Sequence, residues 1–220
     1  MSVNGDMLIR ISPEKASIVV EQNSKGVIAR KNISAETLAK CFLSSRYDDE
    51  AHRTGLLPEN CIHVTMTAKY VWYYIRYPEL HADFTYAGTE YLDFPIPRLL
   101  FGFKYMPENG KVAESRVFVM KDEKPKPETP LFVYPFSNVS GDGRICIGNN
   151  ALPVYKSPAR LGTLASYILR IPNNNDHYSS GHNKLNLEYR DLLEQMKGKD
   201  PSHYYTDILV PSRKTLNDIL

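Results

Sequence analysis

Between Cys61 and Tyr134 the chain passes through six short runs rich in β-branched and aromatic residues, and the pattern after them turns helical. The runs are Ile62-His63-Val64-Thr65-Met66, Tyr70-Val71-Trp72-Tyr73-Tyr74-Ile75, Asp83-Phe84-Thr85-Tyr86, Leu99 to Tyr105, Ser115 to Met120 and Leu131 to Tyr134. Such side chains pack well on a pleated surface, so each run predicts a strand. Glu108-Asn109-Gly110 supplies a turn, and Lys121 to Pro130, with three prolines among charges, predicts an extended surface loop. From Ser157-Pro158 the spacing is helical. Ser157 is the cap and Pro158 the first-turn residue of a helix carrying Leu161, Leu164, Ala165, Ile168 and Leu169, which Pro172-Asn173-Asn174-Asn175-Asp176 ends. A second helix is predicted from about Asn186 to Lys197, with Leu185, Tyr189, Leu192, Leu193 and Met196 as one apolar stripe and Gly198 as its stop. Tyr204 to Val210 reads as a short strand, and Ser212 as the cap of a last helical turn. Strands first and helices last predict an α+β domain, an antiparallel meander sheet packed on C-terminal helices.

Ahead of that domain lies a strand and helix extension. Met7 to Ile11, Ser17 to Val20 and a run near Gly26 to Ala29 are β-branched, and Ser12-Pro13-Glu14-Lys15 separates the first two. Ser34 caps a helix over about Ala35 to Ser45, where Leu38, Ala39, Phe42 and Leu43 recur at helical spacing. The expected division is 1–55 for this extension and 56–220 for the main domain.

Charge and cysteine usage narrow the function classes. A formal charge of +2 over 220 residues gives no reason to expect a nucleic-acid partner. No apolar run approaches the ~20 residues needed to span a bilayer, and Met1 to Asp6 lacks the basic and apolar regions of a signal peptide, so a cytoplasmic protein without a membrane partner is expected. Cys41, Cys61 and Cys146 cannot make a complete disulfide framework and show no Cys-x-x-Cys pairing, so neither metal nor cofactor is expected. Cys41, inside the predicted helix, and Cys61, at the start of a strand run, read as packing residues. Trp72 and its tyrosine neighbours read as a sheet face packed against the helices.

Cys146 reads differently. It closes the segment Pro135-Phe136-Ser137-Asn138-Val139-Ser140-Gly141-Asp142-Gly143-Arg144-Ile145-Cys146, and Gly148-Asn149-Asn150 follows it. A glycine-rich polar loop is a poor place for a core thiol and a good place for one that must be reached. Gly141 and Gly143 let the chain turn sharply and allow another backbone to approach. A thiol near its ordinary pKa of ~8.5 is mostly protonated at neutral pH, so a neighbouring cation such as Arg144, or backbone donors, would raise its reactivity.

The spacing resembles the active-site segment of ubiquitin-conjugating enzymes, in which His-Pro-Asn-Ile is followed by three variable residues, Gly, one residue and Ile-Cys-Leu. Asn138, Val139, Gly143, Ile145 and Cys146 fall in register, while Phe136 and Ser137 replace the His and Pro, and Gly148 stands where many of those enzymes carry an acid. More narrowly, Val71-Trp72-Tyr73, Pro95 to Phe101, Thr129-Pro130-Leu131, Pro135 to Val139 and Gly143 to Gly148 resemble the prokaryotic ubiquitin-conjugating-like family D, also called the PRTRC system protein B family. That resemblance implies a ubiquitin-conjugating fold in a bacterial protein whose partners are a ThiF-like activating enzyme and a ubiquitin-like protein.

It also implies roles. Cys146 would accept the ubiquitin-like protein as a thioester and pass it to an amine. Asn138 would donate its amide to the oxyanion formed as the amine attacks, or brace the loop carrying Cys146; the sequence leaves both open. Asp176 follows Pro172-Asn173 as an acid follows the Pro-Asn turn in the familiar enzymes, where it assists deprotonation of the incoming lysine. His177 is the rival base, although a histidine in such a chain is more often a surface or packing residue. The alternatives are a catalytically inactive ubiquitin-conjugating variant serving as a binding module in a ThiF-containing operon, and a cysteine hydrolase using Cys146 with His177 or His182.

Overall fold

The computed structural model describes residues 7–12, 17–24, 27–45 and 55–220. The chain forms two compact units, Met1–Arg53 and Thr54–Leu220.

In the first unit β1 (Met7–Ser12), β2 (Ser17–Ser24) and β3 (Val27–Ile33) make an antiparallel sheet in that order. Glu21, on the central strand, reaches Arg10 at 3.7 Å and Arg30 at 2.9 Å, one on each neighbour. The helix α1 (Ala35–Ser45) begins where expected, with the Thr37 N–H donating to Ser34 Oγ at 3.1 Å. Cys41 is exposed, so its expected packing role does not hold. Pro13 to Lys15 of the expected separator and Gly26 of the expected third run lie outside the described residues.

The second unit is built on a six-stranded antiparallel sheet. Its strands are β4 (Cys61–Met66), β5 (Val71–Tyr77), β8 (Leu99–Met106), β9 (Lys111–Met120), β10 (Pro130–Phe132) and β11 (Pro211–Thr215), in the spatial order β11-β10-β9-β8-β5-β4. The intervening β6 (Leu80–Tyr86) and β7 (Thr89–Ile96) form a hairpin of their own. Alternation along the strands gives the sheet two apolar faces. Val71, Tyr73, Ile75, Phe101, Val117 and Val119 belong to the main core. That core also contains Leu164, Ala165 and Ile168 of α2 (Gly162–Leu169), and Tyr189, Leu192, Leu193 and Met196 of α3 (Tyr189–Met196). The α+β architecture with helices on the sheet is thus the observed one.

Tyr74, Leu100, Phe118, Met120 and Leu131 point to the opposite face, where Leu216 covers them and Trp72, Ile219 and Leu220 pack alongside. Trp72 therefore sits on the side away from α2 and α3, not against them as expected. Gly102 makes room on that face, because a Cβ there would stand 2.9 Å from Tyr74 Cε1. Burial on both faces explains why the strand runs are nearly continuous in apolar residues.

Three local expectations are corrected. The second helix starts at Tyr189, and Leu185 is exposed outside it. The reason is Asn183, whose buried amide donates to Tyr178 Oη, Ser180 O and Leu187 O and accepts from the Leu187 N–H, fixing residues 178–187 as an irregular loop. Residues 204–208 form one wide helical turn instead of a strand, closed by the Leu209 N–H on Tyr204 O. Ser212 lies in β11 and donates to Leu131 O at 2.7 Å, while Thr215 and Asp218 cap the last turn.

Candidate functional site

Residues 135–146 leave the end of β10 and return beside β9, and their own side chains fix the path. Phe136 is buried among the rings of Phe84, Phe94, Tyr134 and Tyr204, anchoring the segment in the main core. Asn138 takes the left-handed conformation at φ 62°, which asparagine tolerates better than most residues. Val139 and Ile145 then pair across the loop. Between them the Ser140 N–H donates to Arg144 O and the Gly143 N–H to Ser140 O, while Asp142 Oδ1 accepts from Ser140 Oγ at 2.6 Å. That bond and a second from the Arg144 N–H hold the Asp142 carboxyl below its ordinary pKa. Gly143 is required twice: its φ is 88°, and a Cβ would lie 2.5 Å from Phe118 Cζ.

Cys146 emerges from this loop exposed, with its N–H donating to Asn138 O at 2.7 Å. The Asn138 N–H donates in turn to Asp176 O, also at 2.7 Å. Two main-chain bonds therefore bring together the three residues that the sequence put forward. Their side chains are less closely engaged. Asn138 Nδ2 donates to Pro172 O at 3.4 Å, and the Asp176 carboxylate accepts from Asn174 Nδ2 at 2.8 Å while its own N–H donates to Asn174 Oδ1. Arg144 pairs with Glu114, Nε to Oε1 at 3.7 Å, so its charge is shared with an acid and not reserved for the thiol.

The cleft at Cys146 has a volume of about 20 Å³ and is walled by Tyr134, Ser137, Asn138, Ile168, Leu169 and Asn173, among others. Among the described residues, no histidine lines it. His177 is exposed, and His182 is half-buried with its pKa lowered by that burial. Burial also pushes the Tyr134 phenol far up, so it stays neutral and is no base at ordinary pH.

The sequence reading missed the node behind the cleft. Ser137, which stands where the resembling pattern has proline, is buried and donates from Oγ to Asn173 Oδ1 at 2.9 Å; the Tyr189 hydroxyl donates to the same oxygen at 3.1 Å. Asn173 is itself held on the hairpin, its N–H donating to Thr85 O and its carbonyl accepting from the Ala87 N–H. The cysteine loop, the turn leading to Asp176 and α3 thus share one amide. A buried serine in place of proline was the available signal, but only the fold reveals its partner.

An exposed thiol on a loop held by main-chain bonds, in a cleft lined by no histidine of the described residues, suits acyl exchange between thiols better than water activation. Among the described residues, no group of three or more His, Cys, Asp and Glu is gathered as a metal site. No helix of the described residues is long and apolar enough to cross a membrane. The family model described as Prokaryotic E2 family D matches residues 37–215. No curated protein and no solved structure matches.

Proposed function

The chain belongs to prokaryotic E2 family D, and from that membership we propose that it carries a ubiquitin-like protein as a thioester on Cys146 and transfers it to an amine. In the first step the Cys146 thiolate attacks the thioester carbonyl on a ThiF-like activating enzyme, and that enzyme's thiolate leaves. In the second, an amine attacks the Cys146 thioester, the tetrahedral intermediate collapses to an amide, and the Cys146 thiolate departs. The proton lost by the attacking amine passes to Asp176 or to water. Asn138 braces the loop through its main chain, and its amide, from the same cleft as Cys146, would serve the oxyanion once Pro172 O releases it.

The observation that carries this reading is the exposed Cys146 tied through Asn138 to Asp176 by two 2.7 Å main-chain bonds, in a cleft that no histidine of the described residues lines. The test is to mix the purified protein with its activating enzyme, its ubiquitin-like protein and ATP. An adduct on Cys146 that a thiol reductant releases is the expected result. No adduct under conditions where the activating enzyme charges itself overturns the proposal.

One observation favours a second reading, a binding module without catalysis. Phe136 and Ser137 occupy the His and Pro positions of the general ubiquitin-conjugating-enzyme pattern and are given over to the core and to Asn173. A Cys146→Ser protein that supports the system's biological output as well as the parent would establish that reading.

A further inference from the structure

We propose that the free edge of β6 receives the extended tail of the acyl donor, which adds a strand to the β6–β7 hairpin and runs on toward Cys146. The proposal rests on the reading of Cys146 as an acyl acceptor. Within its sheet β6 has one neighbour, β7. On the other side, among the described residues, only its C-terminal end is engaged, by the paired main chains of Asn173 with Thr85 and Ala87. Among the described residues no main-chain group pairs with that edge over residues 80–84. An open edge offers a row of N–H and C=O groups to any extended chain.

A cavity of about 500 Å³ follows this stretch. Leu80 to Thr85 line it without a gap. Successive strand residues point to opposite faces, so an unbroken run of them brings the cavity to the edge of the strand, and Glu90, Leu92 and Asp93 of β7 carry it on over one face of the hairpin. Ser166, Leu169 and Arg170, from α2 and its C-terminal end, make the far wall.

Two features identify the occupant. Asp83, Glu90 and Asp93 line the cavity against Arg170, so basic side chains are favoured, and an added strand would present every second side chain to them. The direction follows from Leu169, which lines both this cavity and the cleft at Cys146, and from Asn173, which is bonded to the end of β6 and also lines that cleft. A tail parallel to β6 therefore delivers its C-terminus to the sulfur. The cleft there, at about 20 Å³, admits only a slender end.

Peptide binding to the Cys146→Ser protein tests this without thioester chemistry. The probe is a fluorescein-labelled peptide of alternating arginine and valine ending in two glycines, alongside its glutamate counterpart and two versions N-methylated at alternate residues, odd or even. The arginine peptide is expected to shift the amide resonances of residues 80–85. The glutamate counterpart and one of the two methylated peptides should bind at least tenfold more weakly, because a strand pairs through the N–H groups of one edge only. Glu90→Lys and Asp93→Asn should each weaken binding at least threefold, the latter keeping a residue that accepts the left-handed φ of 48°. Equal binding of both methylated peptides and the parent, or resonance shifts that avoid residues 80–85, overturns the proposal. Failure of the parent protein to form any adduct on Cys146 is a separate result that strikes the acyl-acceptor reading instead.

Discussion

The N–H of Cys146 and the carbonyl of Asn138 meet at 2.7 Å, so the candidate nucleophile and the amide eight positions before it are locked by main chain before either side chain acts. Because the Asn138 N–H is at the same time bonded to Asp176 O, a change in Asn138 reaches both neighbours. The loop is braced on its other flank as well, with the Ile145 N–H on Ser115 O and the Val117 N–H on Gly143 O. The thiol therefore rides on a frame set by β9 and by the turn after α2.

Asn138 has two roles that different substitutions separate. Its φ of 62° strains most side chains, so Asn138→Ala should lose about 1 kcal/mol of stability relative to Asn138→Gly, which takes that conformation freely. If the amide serves the oxyanion, both variants should slow aminolysis of the thioester by about 100-fold while leaving its formation unchanged. Chemical denaturation and single-turnover discharge to free lysine measure the two effects. Parent-like discharge by Asn138→Gly would reduce Asn138 to a brace.

Gly143 should be the least replaceable residue of the loop. Alanine there would combine a φ of 88° with a Cβ 2.5 Å from the Phe118 ring, and a cost of about 2 kcal/mol or more is expected in urea unfolding. In a double-mutant cycle Phe118→Ala should recover the steric part of that loss and none of the backbone part, giving a coupling energy of about 1 kcal/mol.

The elements that were legible in the sequence are those fixed by local pattern. The strand runs were marked by branched and aromatic residues, α1 by the Ser34 cap, and the turn into α2 by Ser157 accepting from the Ala159 N–H. The cysteine loop was legible because glycines and an asparagine sit where the backbone needs left-handed φ. What escaped depends on partners far away in the chain. The residues of β7 include Pro95, and Pro97 follows directly, both turn signals, yet Thr89 to Ile96 pairs along β6. Trp72 could be placed on a sheet, but its face was decided by the C-terminal residues Leu216 to Leu220, which cover the side away from the helices. Nothing local to Ser137 announces Asn173, 36 positions later.

The Ser137, Asn173 and Tyr189 node should matter to stability more than its surface neighbours do. Asn173→Ala leaves two buried hydroxyls without their acceptor and should cost about 2 kcal/mol, whereas Tyr189→Phe removes one donor from an oxygen that keeps Ser137 and should cost about 1 kcal/mol. Thermal or urea unfolding of the two variants and of the pair checks this. Because both changes act on one oxygen, the double variant should be less destabilised than the sum. Additive losses would show that the two hydroxyls act independently.

Asp142 gives the loop a pH dependence of known sign. Hydrogen bonds from Ser140 Oγ and the Arg144 N–H favour the carboxylate and lower the folded pKa. Its contribution is accordingly complete above the ordinary carboxyl pKa of about 3.9 and is lost as pH falls through the lower folded value. Protonation removes an acceptor from the Arg144 N–H, so amide exchange at Arg144, corrected for its intrinsic pH dependence, should quicken as the solution is acidified below about pH 4. Asp142→Ala, which has no side-chain acceptor, should show weak protection of that amide at every pH and lose the acid-dependent step. An Arg144 amide equally protected in both proteins across the titration would mean that the turn is held by its main-chain bonds alone, the Gly143 N–H on Ser140 O and the Ser140 N–H on Arg144 O.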